Sequence, residues 1–175
     1  SNLVEVVGES ETINFSVNNG EITSVGNDFV ISISDVVATL DEETTINITT
    51  TEILEADSVD AISIDITPYD TSKFELVSVN AGDLSNTIVE GSADIANGQI
   101  NINIIGAPIK GAGTLASFTI LPKAQTLDTL TPSVRLNDDP ALSADRTNTG
   151  VLSIAPTYIT IGDFTGVAGD TVSVP

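Results

Sequence analysis

The chain has 175 residues, of which 25 are acidic and 5 basic, a formal net charge of −20, and it contains no His and no Cys. The basic residues Lys73, Lys110, Lys123, Arg135 and Arg146 are scattered, so no stripe neutralises phosphates, which excludes nucleic acid and anionic membrane surfaces as partners. Without an imidazole or a thiol there is no Ser-His-Asp triad, no zinc site of the usual donors and no disulfide framework.

Acidity of this degree can accompany disorder, but here 41% of the residues are hydrophobic and they fall in regular patterns. The length suits one domain of ordinary size with additional pieces. No apolar run reaches the length of a membrane span. The chain lacks Met altogether, so Ser1 is read as an internal start and the chain as part of a longer protein.

Taken in order, the chain is a succession of short alternating runs. Phe15 and Val17 precede Asn19-Gly20 and Ile22, which predicts a hairpin. Val30, Ile31 and Ile33 follow, then Ile46 and Ile48. Ile62, Ile64 and Ile66 alternate with Ser63, Asp65 and Thr67. Pro68-Tyr69-Asp70-Thr71 predicts a turn, Leu76, Val77 and Val79 a strand, and Asn80-Ala81-Gly82-Asp83 a second turn. Asn97-Gly98 between Ile95 and Ile100 predicts a two-residue hairpin turn. Ile100, Ile102 and Ile104 alternate with Gln99, Asn101 and Asn103, and Leu115, Phe118, Ile120 and Leu121 form one more run. No stretch reads as an amphipathic helix, and residues 123–131 have room for one short turn at most. Many short β-branched runs bounded by Gly, Asn, Asp and Pro predict an all-β, antiparallel β-sandwich.

A long-period repeat is also legible. Asn18-Asn19-Gly20-Glu21-Ile22-Thr23 resembles Asn148-Thr149-Gly150-Val151-Leu152-Ser153. Ile31-Ser32-Ile33-Ser34-Asp35 resembles Ile159-Thr160-Ile161-Gly162-Asp163, and Thr44-Thr45-Ile46-Asn47-Ile48 resembles Asp170-Thr171-Val172-Ser173-Val174. The offset is about 126 to 130 residues, the size of a domain. The expected anatomy is therefore the closing strands of a preceding module in 1–27, a complete module in 28–156 and the opening strand of the next in 157–175. The two end segments, stripped of their own modules, are expected to pair with each other between molecules or to cap the central module's sheets.

Three segments resemble the cohesin family. Tyr69-Asp70-Thr71-Ser72-Lys73-Phe74-Glu75-Leu76-Val77-Ser78-Val79-Asn80-Ala81-Gly82-Asp83 is similar to the family's turn–strand–turn signature. Gly113-Thr114-Leu115-Ala116-Ser117-Phe118-Thr119-Ile120 is similar to a later strand. Gly162 to Pro175 is similar to the family's opening strand. The resemblance implies about nine strands in a jelly-roll sandwich. It implies a non-catalytic scaffold module, secreted or at the cell surface, that docks dockerin domains of secreted enzymes, with the calcium carried by the dockerin. It further implies a binding face that includes a polar pair on the strand before the Tyr-Asp turn. Counting back from Tyr69 places that pair at Ile62 and Ile64. Alternation instead turns Ser63, Asp65 and Thr67 to solvent, and a bulge near Pro68 would reconcile the two. Ser63, Asp65 and Thr67, with Gln99, Asn101 and Asn103, are thus the candidate partner-binding residues. Other expected contacts are with neighbouring repeats of the same chain.

The alternatives are a purely structural stalk repeat of a large adhesin or surface-layer protein and, less favoured, a carbohydrate-binding module. Sugar platforms usually rest on exposed aromatic rings; this chain has no Trp, and of its two Tyr, Tyr69 is expected as a core anchor. The carboxylates Asp138 and Asp139 lie in a Pro-bounded loop with no sign of a glycosidase cleft. Asp57, Asp60, Asp138, Asp139 and the Glu42-Glu43 loop offer oxygen ligands, but no EF-hand spacing joins them, so no cofactor is expected and a structural calcium is the alternative. Two glycosylation triplets, Asn14-Phe15-Ser16 and Asn47-Ile48-Thr49, both fall in predicted strands and are read as chance.

Overall fold

The computed structural model describes residues 29–84, 88–106, 108–137 and 146–155, together with the backbones of three strands nearer the N-terminus. Those three are β1 (Glu5–Gly8), β2 (Glu11–Asn18) and β3 (Glu21–Ser24), which form a small antiparallel sheet of their own. Asn18 stands opposite Glu21 across β2 and β3, as the Asn19-Gly20 pattern predicts. Asn19 and Gly20 themselves lie outside the described residues. Residues 157–175, expected to open a further module, lie outside the described residues.

Eleven strands build the sandwich: β4 (Ile31–Ile33), β5 (Val36–Thr39), β6 (Thr44–Ile53), β7 (Ala61–Thr67), β8 (Phe74–Ala81), β9 (Ile88–Asp94), β10 (Gln99–Ile105), β11 (Gly111–Pro122), β12 (Thr126–Leu136), β13 (Thr147–Asn148) and β14 (Gly150–Ala155). One sheet runs β5-β14-β12-β7-β10-β9 and the other β13-β4-β6-β11-β8. β4 and β5 are one strand broken at Ser34-Asp35, and β13 and β14 one strand broken at Thr149, so the eleven reduce to the nine expected of the jelly roll. At each break the chain passes from one sheet to the other. The first and last strands run side by side through this passage, β13 parallel to β4 and β14 parallel to β5, an exception to the antiparallel pattern elsewhere. Three contacts hold the passage. Asn148 Nδ2 donates to Ser32 Oγ at 3.0 Å, the Val151 N–H donates to Asp35 Oδ1 at 2.7 Å, and Arg146 caps the Phe29 carbonyl while lying 5.3 Å above its ring. Gly150 permits the close approach, because a Cβ there would stand 2.7 Å from Ile33 Cγ2 and 2.8 Å from the Ser34 carbonyl.

Alternation decides what enters the core. Ile62, Ile64 and Ile66 of β7, Ile100, Ile102 and Ile104 of β10, and Ile46 and Ile48 of β6 are buried, together with Phe29, Phe74 and Phe118. Burying a side chain of this size contributes about 1.5–3 kcal/mol, which fixes the register, since a slip by one residue would expose every one of them.

The turn signature has a local physical cause. The Asp70 carboxylate accepts from the Ser72 hydroxyl at 2.7 Å and from the Ser72 N–H at 2.9 Å, closing the turn. Phe74 enters the core and meets Tyr69 edge-on at 5.5 Å. Tyr69 is buried, as expected, and its hydroxyl accepts from the Leu76 N–H at 3.3 Å. Lys73 reaches across to Asp128 at 2.9 Å. The second expected turn differs: Asn80 and Ala81 continue β8, and the chain leaves the sheet only at Gly82, whose Cα lies so close to β11 that a Cβ would sit 2.0 Å from the Thr114 carbonyl oxygen.

As expected, no helix forms in 123–131: residues 126–131 belong to strand β12, because Leu130 begins a buried alternation that continues through Val134 and Leu136, and a short 3-10 turn lies at Glu55–Asp57. One further expectation is corrected. The β9–β10 connection is a four-residue loop, 95–98, rather than a two-residue turn. Asp94 pairs with Gln99 across it, only Gly98 takes positive φ (63°), and the Asp94 carboxylate accepts from both the backbone and the side chain of Asn97.

Candidate functional site

The outward surface of the six-stranded sheet gathers all six candidate residues. β7 and β10 pair antiparallel with Asn101 opposite Asp65 and Asn103 opposite Ser63, and the residues between them are the buried isoleucines. Ser63, Asp65 and Thr67, and likewise Gln99, Asn101 and Asn103, therefore project away from the core side by side. No register shift interrupts β7 against β10 or β12. The bulge suggested near Pro68 is absent, the Thr67–Pro68 peptide is cis, and Ile62 and Ile64, the positions reached by counting back from Tyr69, are core residues.

Asp65 is the organising group of this face. Asn101 Nδ2 donates to Asp65 Oδ1 at 2.6 Å, and Arg135 Nη2 donates to Asp65 Oδ2 at 3.0 Å. The three residues lie on three adjacent strands, β10, β7 and β12. The Asp65 side chain is 17% exposed and Arg135 49%, so the carboxylate is largely covered by its partners while the guanidinium still faces solvent. A carboxylate with both oxygens engaged is fixed in orientation.

Sequence reasoning did not single out Arg135. Its place depends on the register of β12 against β7, where Arg135 stands opposite Ser63 and Ser133 opposite Asp65. A signal was present in the alternation of Leu130, Val134 and Leu136 with Thr131, Ser133 and Arg135. On the other flank, β9 contributes Glu90 opposite Asn103, Ser92 opposite Asn101 and Asp94 opposite Gln99. Hydrogen bonds from the side chain and then the backbone of Asn97 hold the Asp94 carboxyl below the ordinary aspartate range.

Exposed aliphatic residues flank the polar centre. At one end Ile105 and Ile88 are cross-strand partners. At the other, Leu127 lies opposite Ser153, which lies opposite Val37, and Val151 adjoins them. Val37 is 77% and Leu127 74% exposed. The face is therefore flat, polar at its centre and aliphatic at two ends.

The acidic residues considered as calcium ligands are not assembled. Asp57 Oδ2 accepts from the Leu54 N–H, Asp138 and Asp139 lie outside the described residues, and among the described residues no group of three or more His, Cys, Asp or Glu is placed to hold a metal.

The protein is thus a jelly-roll β-sandwich that carries an ordered polar face on its six-stranded sheet. No family model and no curated protein matches the sequence. Solved structures do match the fold. A non-cellulosomal cohesin from the archaeon Archaeoglobus fulgidus is 18% identical with a TM-score of 0.58, over 74% of this chain and 92% of that one. The seventh ScaB type I cohesin from Pseudobacteroides cellulosolvens is 19% identical with a TM-score of 0.60, over 78% and 98%. A type I cohesin of Clostridium thermocellum, solved as a cohesin–dockerin complex, is 14% identical with a TM-score of 0.60, over 74% and 100%. By fold, this chain contains a cohesin-like domain.

Proposed function

We propose that the module is a non-catalytic docking unit that binds a dockerin-type domain on the β9-β10-β7-β12 face, within a secreted or surface scaffold built of tandem modules. The observation that carries this reading is the Asp65 centre. Asn101 and Arg135 lock its carboxylate from either side, which gives a flat, pre-ordered polar platform whose ordering cost is met on folding rather than on binding. The aliphatic residues at the two ends offer the apolar area that a partner helix would cover. The known cohesin–dockerin complex of the same fold supports the choice of partner.

The test is affinity capture from the secreted proteins of the source organism on the immobilised chain, with captured proteins identified by mass spectrometry. Capture of a protein carrying duplicated calcium loops, lost on chelation, supports the reading. Absence of any such protein, with the chain shown to be folded, favours a structural stalk repeat.

A further inference from the structure

The outer surface of the other sheet differs from the rest of this acidic molecule. Along β13, β4, β6, β11 and β8, cross-strand pairing brings together Asn148 and Ser32, then Thr49, Asn47 and Thr45, then Ser117 and Thr119. Across the middle of that patch no charged side chain stands among the described residues, although the chain carries 25 acidic residues.

Asn47 stands near the centre of this surface, opposite Ser117, and is exposed. It heads the triplet Asn47-Ile48-Thr49. Its place in a strand does not hide the acceptor: strand geometry buries Ile48 completely and turns Asn47 and Thr49 outward together. Most described asparagines spend their carboxamide on a structural bond. Asn80 donates to Ser78, Asn97 to Asp94, Asn101 to Asp65, Asn137 to Ser58 and Asn148 to Ser32. The Asn47 carboxamide has no hydrogen-bond partner among the described residues. Its neighbours are short hydroxyl side chains, which leave room for a sugar and offer it donors and acceptors.

We infer that Asn47 is an N-glycosylation site, with its glycan laid over the uncharged face of the five-stranded sheet. In the reaction, Asn47 Nδ2 forms a bond to C1 of the first sugar of a lipid-phosphate-linked oligosaccharide, supplied with its membrane transferase by the producing cell. The C1–O bond to phosphate breaks, the lipid phosphate leaves with the bonding electrons, and one amide proton passes to a base on the transferase. The folded sandwich accepts the product without rearrangement, because the glycan projects from the face opposite the Asp65 centre. The inference rests on the extracytoplasmic location proposed above and is independent of which partner docks.

The experiment is glycopeptide mass spectrometry of the protein isolated from the cells that produce it. Cleavage after Glu43 and Glu52 releases residues 44–52, which contain no other Asn. The expected result is a sugar-bearing 44–52 peptide with the glycan fragmenting from Asn47, and loss of that mass in both Asn47→Gln and Thr49→Ala. Recovery of 44–52 unmodified from the secreted protein overturns the inference, as does a glycan located on one of its threonines. Neither result bears on partner capture, which is measured separately.

Discussion

Asn101 and Asp65 face each other across β10 and β7 with the carboxamide nitrogen 2.6 Å from a carboxylate oxygen, and the second oxygen of the same carboxylate takes Arg135 at 3.0 Å from the opposite side. One acidic side chain thereby links three strands on the outside of the sheet. Asp65→Ala leaves both donors without their acceptor and is expected to cost about 1–2 kcal/mol. Arg135→Ala removes a half-exposed, screened pair and is expected to cost less than about 1 kcal/mol. Urea unfolding of both variants checks the order; an Arg135→Ala loss larger than that of Asp65→Ala contradicts it.

Ile102 and Asn103 are adjacent in sequence and lie on opposite faces of β10. Ile102→Ala should lose about 3 kcal/mol through the cavity left in the core. Asn103→Ala should stay within about 0.5 kcal/mol. Equal losses in a denaturant titration would mean that the alternation is misplaced.

Gly82→Ala is expected to destabilise the sandwich by about 3 kcal/mol, because the new methyl meets a backbone carbonyl of β11 rather than a side chain that can turn away. A melting temperature unchanged by this substitution would show that β8 and β11 are not so closely joined.

The Asp70 carboxyl is held below the ordinary aspartate range, first by the Ser72 hydroxyl and then by the Ser72 N–H. A carboxyl whose folded value is depressed stabilises the fold above its unfolded value and loses that contribution as pH falls through the folded one. The expected window lies below about pH 4. Asp70→Asn should be less stable at neutral pH and show a shallower loss in acid, measured by urea midpoints from neutral pH downward. A parallel acid loss in wild type and variant would assign the effect to other carboxylates.

Much of this architecture was legible from the residues. The isoleucine runs of β7 and β10 declare their period, and their polar neighbours are therefore the outward face. Asp70 and Phe74 were legible as a unit because their contacts with Ser72 and Tyr69 are local, whereas the Asp128 partner of Lys73 lies on distant strand β12 and was not. Arg135 was not, because its position depends on which strand β12 pairs with and in what register, a property of distant residues. The same holds for the parallel pairs at the ends of the module: nothing in Ile31–Ile33 or Thr147–Asn148 announces that they lie side by side. The length of the 95–98 loop is not legible, because the Asn97-Gly98 pattern is local, whereas the loop length is set by the register of β9 on β10 and by the Asp94 carboxylate accepting from Asn97.

Docking on the Asp65 face is tested most directly by comparing capture of the calcium-loop partner by the wild type, by Asn103→Arg on that face and by Asn47→Gln on the opposite sheet. Asn103 is exposed and its side chain makes no hydrogen bond among the described residues, so arginine there obstructs the face without disturbing the core. The account predicts capture by the wild type and by Asn47→Gln, and at least a tenfold (about 1.4 kcal/mol) loss with Asn103→Arg. Undiminished capture by Asn103→Arg would place the partner elsewhere on the molecule, and no capture by the folded wild type would contradict the docking role itself.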